Sequence, residues 1–113
     1  MSQITTHILD VSTGRPAASV QVSLHHQEGP DQWHPMSTGL TDEDGRQKTL
    51  MVDTGLQPGH YRLSFAVGDY FRRSARACFY ENVEIAFKVD DASEHYHVPL
   101  LLSPFGYSTY RGS

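Results

Sequence analysis

The chain has 113 residues and a mass of 12.7 kDa, which suits a single domain spanning residues 1–113 and leaves little room for a second core. Hydrophobic residues make up 38% and charged residues 19%, so neither a membrane-embedded nor an intrinsically disordered chain is expected. Nine lysines and arginines against 13 aspartates and glutamates leave a formal net charge of −4, and the densest basic stretch is the short run Arg72–Arg76. A nucleic-acid partner is therefore not expected.

Cysteine usage and the first residues bear on the cellular compartment. The single cysteine, Cys78, cannot form an internal disulfide, which favours a reducing compartment such as the cytoplasm. No basic segment followed by an apolar run begins the chain, and no stretch approaches the roughly 18 apolar residues of a membrane-spanning helix. We expect a cytoplasmic protein with no membrane partner, and a periplasmic location stays open if a leader has been removed.

Alternation of apolar and polar residues predicts a series of short strands. The pattern is clearest over residues 20–25, 61–67 and 83–89, and it recurs over 4–9 and 96–102. Glycine, proline and aspartate cluster between these segments, as expected for turns. Their spacing suits short antiparallel strands.

One segment departs from this alternation and predicts a short helix over Asp69–Cys78. Its residues at helical offsets are Tyr70, Phe71, Ser74 and Cys78. Asp69 would cap the first turn, and basic residues follow it. Several strands with one helix cannot build a doubly wound parallel sheet. The predicted fold is therefore all-β, a two-sheet antiparallel β sandwich with one short helix.

Histidines lie on the polar side of two predicted strands. In the segment 95–102 the apolar residues at even positions should face the core, which places His95 and His97 together on the opposite face. His7 takes the corresponding outward position in the first strand, between Thr6 and Ile8. Each of these histidines taken singly also fits an ordinary surface residue.

Three further residues carry chemistry that the pattern leaves open. Arg46 follows the tight turn Asp44–Gly45, which would present its guanidinium at a loop rim, where it is either a ligand for oxygen atoms or simply solvated. Ser113 is not surrounded by a nucleophile elbow, so a serine hydrolase is not indicated. Cys78 is expected on the apolar side of the helix, where a buried thiol is ordinarily inert.

A zinc site is an alternative use of the histidines. His7, His95 and His97 would supply the three imidazoles that zinc hydrolases use. No carboxylate partner stands at a fixed offset from them, and a nearby arginine would oppose a divalent cation. The residues therefore favour a site without a metal.

Four separated segments resemble the transthyretin-related 5-hydroxyisourate hydrolases. They are Thr6–Asp10 followed by Gly14–Ala17, the turn Thr41–Arg46, the segment His95–Pro104, and the final Tyr110-Arg111-Gly112-Ser113. The last tetrapeptide is the most specific of them, since the hydrolases carry it and the hormone carrier transthyretin does not. The resemblance spans essentially the whole chain.

This resemblance implies both a function and an assembly. It implies a transthyretin-like sandwich that forms a homotetramer, a dimer of dimers, with active sites in the clefts where two dimers meet. The site residues it implies are catalytic His7, Arg46, His97 and Ser113, with Tyr110, Arg111 and Gly112 binding the substrate. The implied substrate is 5-hydroxyisourate, an oxidised purine, and no cofactor or covalent enzyme intermediate is required.

The implied residue types suit hydrolysis of an amide-like ring bond. One of the two histidines, His7 or His97, would act as general base on water, and the other would orient it or protonate the leaving nitrogen. Arg46 would bind the urea-like edges of the ligand and stabilise the developing oxyanion. Ser113 would orient the water or a substrate donor, through its hydroxyl or a terminal carboxylate.

Three other classes of protein remain possible at this point. A transthyretin-like carrier of small ligands would use the same channel without a base, and an adhesive sandwich would be indifferent to histidine changes. A zinc hydrolase would lose its activity on addition of a chelator.

Overall fold

The computed structural model describes residues 3–51 and 55–113, over which the chain forms nine β-strands and one α-helix. In chain order the elements are β1 (Ile4–Asp10), β2 (Arg15–Pro16), β3 (Gln21–Gly29), β4 (Gln32–Leu40), β5 (Arg46–Gln47), β6 (Gly59–Phe65), α1 (Val67–Arg73), β7 (Val83–Val89), β8 (Tyr96–Ser103) and β9 (Gly106–Thr109). Within the described ranges, no helix combines the length and the apolarity needed to cross a membrane.

The strands form two sheets, as predicted for a β sandwich. The first sheet has the order β2-β1-β8-β9, with β5 also paired to β1, and the second has the order β4-β3-β6-β7. All pairings are antiparallel except one, because β1 and β8 run parallel, with Thr5 opposite His97 and His7 opposite Pro99. A parallel pair needs a long crossover, and here the whole second sheet lies in the connection between β1 and β8. The expectation of purely antiparallel strands was therefore wrong for this pair.

The core lies between the two sheets and is built from alternate residues of their strands. In β8 the even positions Tyr96, Val98, Leu100 and Leu102 are buried, which confirms the predicted alternation. In β7 the ends are buried, but Ile85 and Phe87 are only half-buried because β7 is an edge strand beside an open cavity. The outer face of the first sheet, opposite this core, carries the odd-numbered side chains of β1 and β8.

The helix is shorter than predicted and begins two residues earlier. It spans Val67–Arg73 rather than Asp69–Cys78, and Ala66 stands at its N-cap without a side-chain hydrogen bond, so the predicted capping role of Asp69 was wrong. A positive φ of 56° at Ala75 follows the C-cap and turns the chain away from the helical path. Cys78 consequently lies beyond the helix, half-buried against the core, and its thiol contacts the carbonyl of Tyr80.

The buried carboxylate of Asp10 links the helical region to the first sheet through hydrogen bonds. Asp10 is fully buried at the end of β1, and its Oδ2 accepts hydrogen bonds of 2.8 Å from both Tyr70 Oη and Arg76 Nη2. Ser12 donates to the other oxygen from its backbone nitrogen at 3.0 Å and from its hydroxyl. Burial alone would raise the pKa of Asp10, but the hydrogen bonds from Ser12, Arg76 and Tyr70 outweigh it and hold this pKa below its ordinary value. The stabilisation by Asp10 is present above the unfolded-state pKa of about 3.9 and is lost as the pH falls through the lower folded-state pKa.

Replacing Arg76 tests the contribution of its interaction with Asp10 to stability. The Arg76→Ala variant leaves the Asp10 carboxylate buried without its cation, so we expect a loss of about 2–3 kcal/mol in the free energy of unfolding at pH 7. The matched control is Arg72→Ala, since Arg72 pairs with Asp69 and Glu81 on the surface, where water screens such pairs and the loss of stability should be much smaller. Urea unfolding measures both variants. Equal losses would contradict the assignment.

Candidate active site

Two neighbouring strands place imidazoles on the outer face of the first sheet. His7 lies on β1 and His97 on β8, and the parallel register sets Thr5 directly opposite His97. Since odd-numbered residues of both strands point away from the core, Thr5, His7 and His97 share this face. The Nδ1 atom of His97 lies 2.8 Å from the hydroxyl of Thr5, which anchors one side of the ring.

Arg46 reaches the same face through a tight turn. Strand β5 pairs with β1 so that Arg46 is opposite His7. The preceding turn is closed by the carboxylate of Asp42, whose Oδ1 accepts hydrogen bonds from the backbone nitrogens of Asp44 at 2.9 Å and Arg46 at 3.0 Å. Gly45 has a φ of +75°, and a Cβ there would come within 2.5 Å of a β1 carbonyl oxygen. Only glycine fits this position, and the turn therefore holds Arg46 against β1.

The C-terminal segment folds back over β8 and brings Ser113 to His97. The backbone nitrogen of Gly112 donates a hydrogen bond of 2.8 Å to the carbonyl oxygen of His97. A Cβ at Gly112 would lie 2.6 Å from Cδ2 of His97 and 3.2 Å from Cγ of Pro99. Because Gly112 has no side chain, its backbone can pack closely against the imidazole of His97.

These elements enclose a cavity of about 210 Å³ on the outer face. Its lining residues are Thr5, Thr6, Arg46, Lys48, His95, His97 and Ser113. Three of the four residues expected to be catalytic, Arg46, His97 and Ser113, therefore meet at one cavity. His7 is not in its lining, although it stands beside Arg46 across the strand pair.

None of the residues expected to bind substrate lines this cavity, and Gly112 is also absent from the lining of a second one. Tyr110 and Arg111 line a cavity of about 300 Å³ on the other side of His97, between the edge strands β7 and β9. Arg111 lies over the ring of Tyr96, 4.5 Å from its centre, and its Nη2 is 3.5 Å from a carboxylate oxygen of Glu94. His97 is the residue that both cavities share.

Burial and the positive charge of Arg46 favour the neutral form of His7 and His97. Burial, then the cation of Arg46, and then His95 and His7 lower the pKa of His97 below its usual value of 6.5. Burial and Arg46 likewise lower the pKa of His7, against the opposing effects of a hydrogen bond to the backbone of Asp44 and of the nearby carboxylates. Both rings are thus unprotonated at neutral pH and able to accept a proton.

Besides Thr6, sequence reasoning missed two polar residues of the cavity lining, Thr5 and Lys48. Both have a signal in period-two spacing, since Thr5 stands two residues before His7 and Lys48 two residues after Arg46. His95 was expected on the same face as His97, and its ring stacks on the His97 ring with centres 6.3 Å apart.

The described residues do not form a set of ligands for the zinc ion considered as an alternative. Among residues 3–51 and 55–113, no three histidine, cysteine, aspartate or glutamate side chains converge closely enough to hold a metal ion. His7, His95 and His97 share a face without forming such a set.

Comparison with known proteins shows the family of this chain. A protein of Caulobacter vibrioides named 5-hydroxyisourate hydrolase is 47% identical, with the alignment covering 100% of both chains. The structure of Klebsiella pneumoniae 5-hydroxyisourate hydrolase superposes with a TM-score of 0.84 at 38% identity, covering 100% of this chain and 94% of that one. Transthyretin from Sparus aurata superposes with a TM-score of 0.92 at 30% identity, covering 99% and 97% of the two chains. The model of the HIUase/Transthyretin family matches residues 4–112, and the chain belongs to this family.

Proposed function

We propose that this protein is a 5-hydroxyisourate hydrolase of urate degradation, which converts its substrate to 2-oxo-4-hydroxy-4-carboxy-5-ureidoimidazoline. The observation that carries the proposal is the meeting of a neutral imidazole, His97, and a guanidinium, Arg46, at one small cavity. Relatives that bear the name of this enzyme match the chain over its full length. Hydrolysis of a ring amide needs both of these groups, one to activate water and one to hold negative charge.

His97 is the general base in this mechanism. Its Nδ1 is engaged by Thr5, which leaves Nε2 as the nitrogen available to a water molecule in the cavity. Nε2 takes a proton from the water as its oxygen bonds to the ring carbonyl carbon. When the carbon–nitrogen bond then breaks, the same proton passes to the leaving ring nitrogen, and the new carboxylic acid ionises to solvent. General base catalysis of this kind contributes roughly 10²–10⁴ in rate.

Arg46 stabilises the negative charge that develops on the carbonyl oxygen. A guanidinium stays cationic throughout the reaction and presents a planar set of donors to oxygen atoms. The positive charge of Arg46 also lowers the pKa of His97. Arg46 therefore both favours the unprotonated form of the base and stabilises the oxyanion. His7 lies opposite Arg46 on β1, and the hydroxyl of Ser113 orients the water or a substrate donor.

The enzyme works as a homotetramer, a dimer of dimers, in this proposal. The cavity of about 210 Å³ is small for a ligand site and has walls from a single chain, so a second copy facing it would complete the enclosure. Within the described part of the chain, the edge strands β7 and β9 each pair on one side alone, which leaves edges for strand pairing between copies. The half-buried Leu9 and Leu101 on the outer face add apolar surface for such a contact.

Ring opening in the presence of a His97 variant tests the function. Urate oxidase generates 5-hydroxyisourate in place, and its decay is followed by ultraviolet absorbance with and without the protein. We expect the wild type to accelerate the decay and His97→Asn to lose about 10²–10⁴ of kcat, because the base is removed. His34→Asn, a histidine exposed on β4, should keep full activity.

Two outcomes of this assay would contradict the proposal. Ligand binding without acceleration by the wild type would indicate a carrier. Equal activity of His97→Asn and the wild type would remove His97 from the reaction. The mass of each variant by light scattering, expected at about four times that of one chain, verifies that the assembly is unchanged.

A glycine pair tests the packing of the C-terminal segment on His97. In Gly112→Ala the new Cβ would meet the imidazole at 2.6 Å, so either the ring or Ser113 must move, and we expect kcat to fall about 10²-fold. In Gly106→Ala the nearest atom is Oγ of Ser103 at 3.8 Å, an ordinary contact, and activity should be retained. The same decay assay measures both variants. Full activity of Gly112→Ala would show that the close approach has no part in catalysis.

A further inference from the structure

A single hydroxyl on β1 lies between two imidazoles. Oγ1 of Thr5 is 2.8 Å from Nδ1 of His97 and 2.9 Å from Nε2 of His95. The two rings are nearly parallel, with an angle of 22° between their planes. Thr5 is buried at 7% exposure, whereas His95 is exposed at the mouth of the cavity.

The proton count of this arrangement couples the two rings. A hydroxyl has one proton, so Thr5 donates to at most one of the two nitrogens, and a nitrogen to which it does not donate must itself carry the proton of that hydrogen bond. If Thr5 donates to His95, the Nδ1 of His97 carries a proton and its Nε2 is a basic lone pair. If Thr5 donates to His97 instead, the proton of that ring sits on Nε2, which then cannot accept one from water.

The charges around His97 select the first of these arrangements. The cation of Arg46 lines the same cavity and acts on the His97 ring, and positive charge favours a lone pair over an N–H bond pointing at it. His7 on β1 also acts on the ring and is itself held neutral. On the opposite side of His97, Arg111 and Glu94 face the second cavity as a pair and largely offset one another.

We propose that Thr5, with its hydroxyl directed by His95, is a positioning residue that holds His97 as the Nδ1–H tautomer with Nε2 basic toward the cavity. This rests on the proposed function for its catalytic meaning, but the tautomer itself is a property of the unliganded protein. In this role Thr5 takes no direct part in the bond-making and bond-breaking steps. It acts through the orientation of the base, as the partners of functional histidines commonly do.

The tautomer is read directly from the ring nitrogens of His97 by ¹⁵N nuclear magnetic resonance. The wild type should show a protonated Nδ1 and an unprotonated Nε2 at neutral pH. Thr5→Val, which keeps the branched shape without the hydroxyl, should shift the population toward the Nε2–H form. His95→Phe, which keeps a ring without the acceptor nitrogen, should shift it in the same direction.

Kinetics provide the second readout. Thr5→Val should lower kcat by about 10–100-fold with KM little changed, in the range seen when partners orienting a histidine are removed, and Thr5→Ser should restore most of the rate. Thr38→Val, which deletes an exposed hydroxyl from the second sheet, should have no effect.

Two results would overturn the inference: a wild-type His97 that is protonated on Nε2, or a Thr5→Val variant with both its tautomer and its kcat unchanged. A wild type with the expected tautomer and no ring opening would instead refute the proposed function alone.

Discussion

The site depends on the parallel pairing of β1 with β8. This register sets Thr5 against His97 and leaves His7 one position further along the same face. Strand β5 then pairs with the free part of β1 and places Arg46 beside His7. Because side chains alternate between faces, a slip of one residue would turn His97 into the core and abolish the cavity. Burial of the even-numbered side chains of β1 and β8 therefore stabilises the fold, and it also fixes the register that brings the site residues together.

The electrostatics of the site follow from putting a permanent cation next to a partly buried imidazole. Burial disfavours the charged form of His97, and Arg46 disfavours it further. The ring therefore stays a base at neutral pH even though no carboxylate among residues 3–51 and 55–113 is hydrogen-bonded to it. The hydroxyl of Thr5 takes the orienting place that an acidic residue fills in many hydrolases. A neutral orienting group suits this site, because an adjacent carboxylate would raise the pKa of the imidazole and offset the effect of Arg46.

Much of the fold could be predicted from local alternation, and less of the site. Period-two patterns located β1, β3, β6, β7 and β8 and the outward positions of His7 and His97, since one buried face imposes that spacing. They did not locate β4. They did not predict the parallel neighbours β1 and β8, which are distant in the chain. The helix boundaries were wrong because Ala66 and Ala75, which carry no capping signal, mark its ends.

The resemblance to a family supplied what alternation could not. Ser113 had no signal in spacing, because it reaches the cavity through the bridge between Gly112 and His97, a contact between distant segments. The sandwich is also shared with transthyretin, so the fold alone does not separate a carrier from a hydrolase. In the proposed mechanism that separation rests on the side chains of the outer face, above all on the protonation state of His97.

The protonation state of His97 is the most direct test of this account. Titration of its ring by nuclear magnetic resonance in the wild type should give a pKa below 6.5. In Arg46→Gln the pKa should rise toward that value, because burial remains while the neighbouring cation is gone. A wild-type His97 that titrates at or above 6.5, or one whose pKa does not move in Arg46→Gln, would contradict the account.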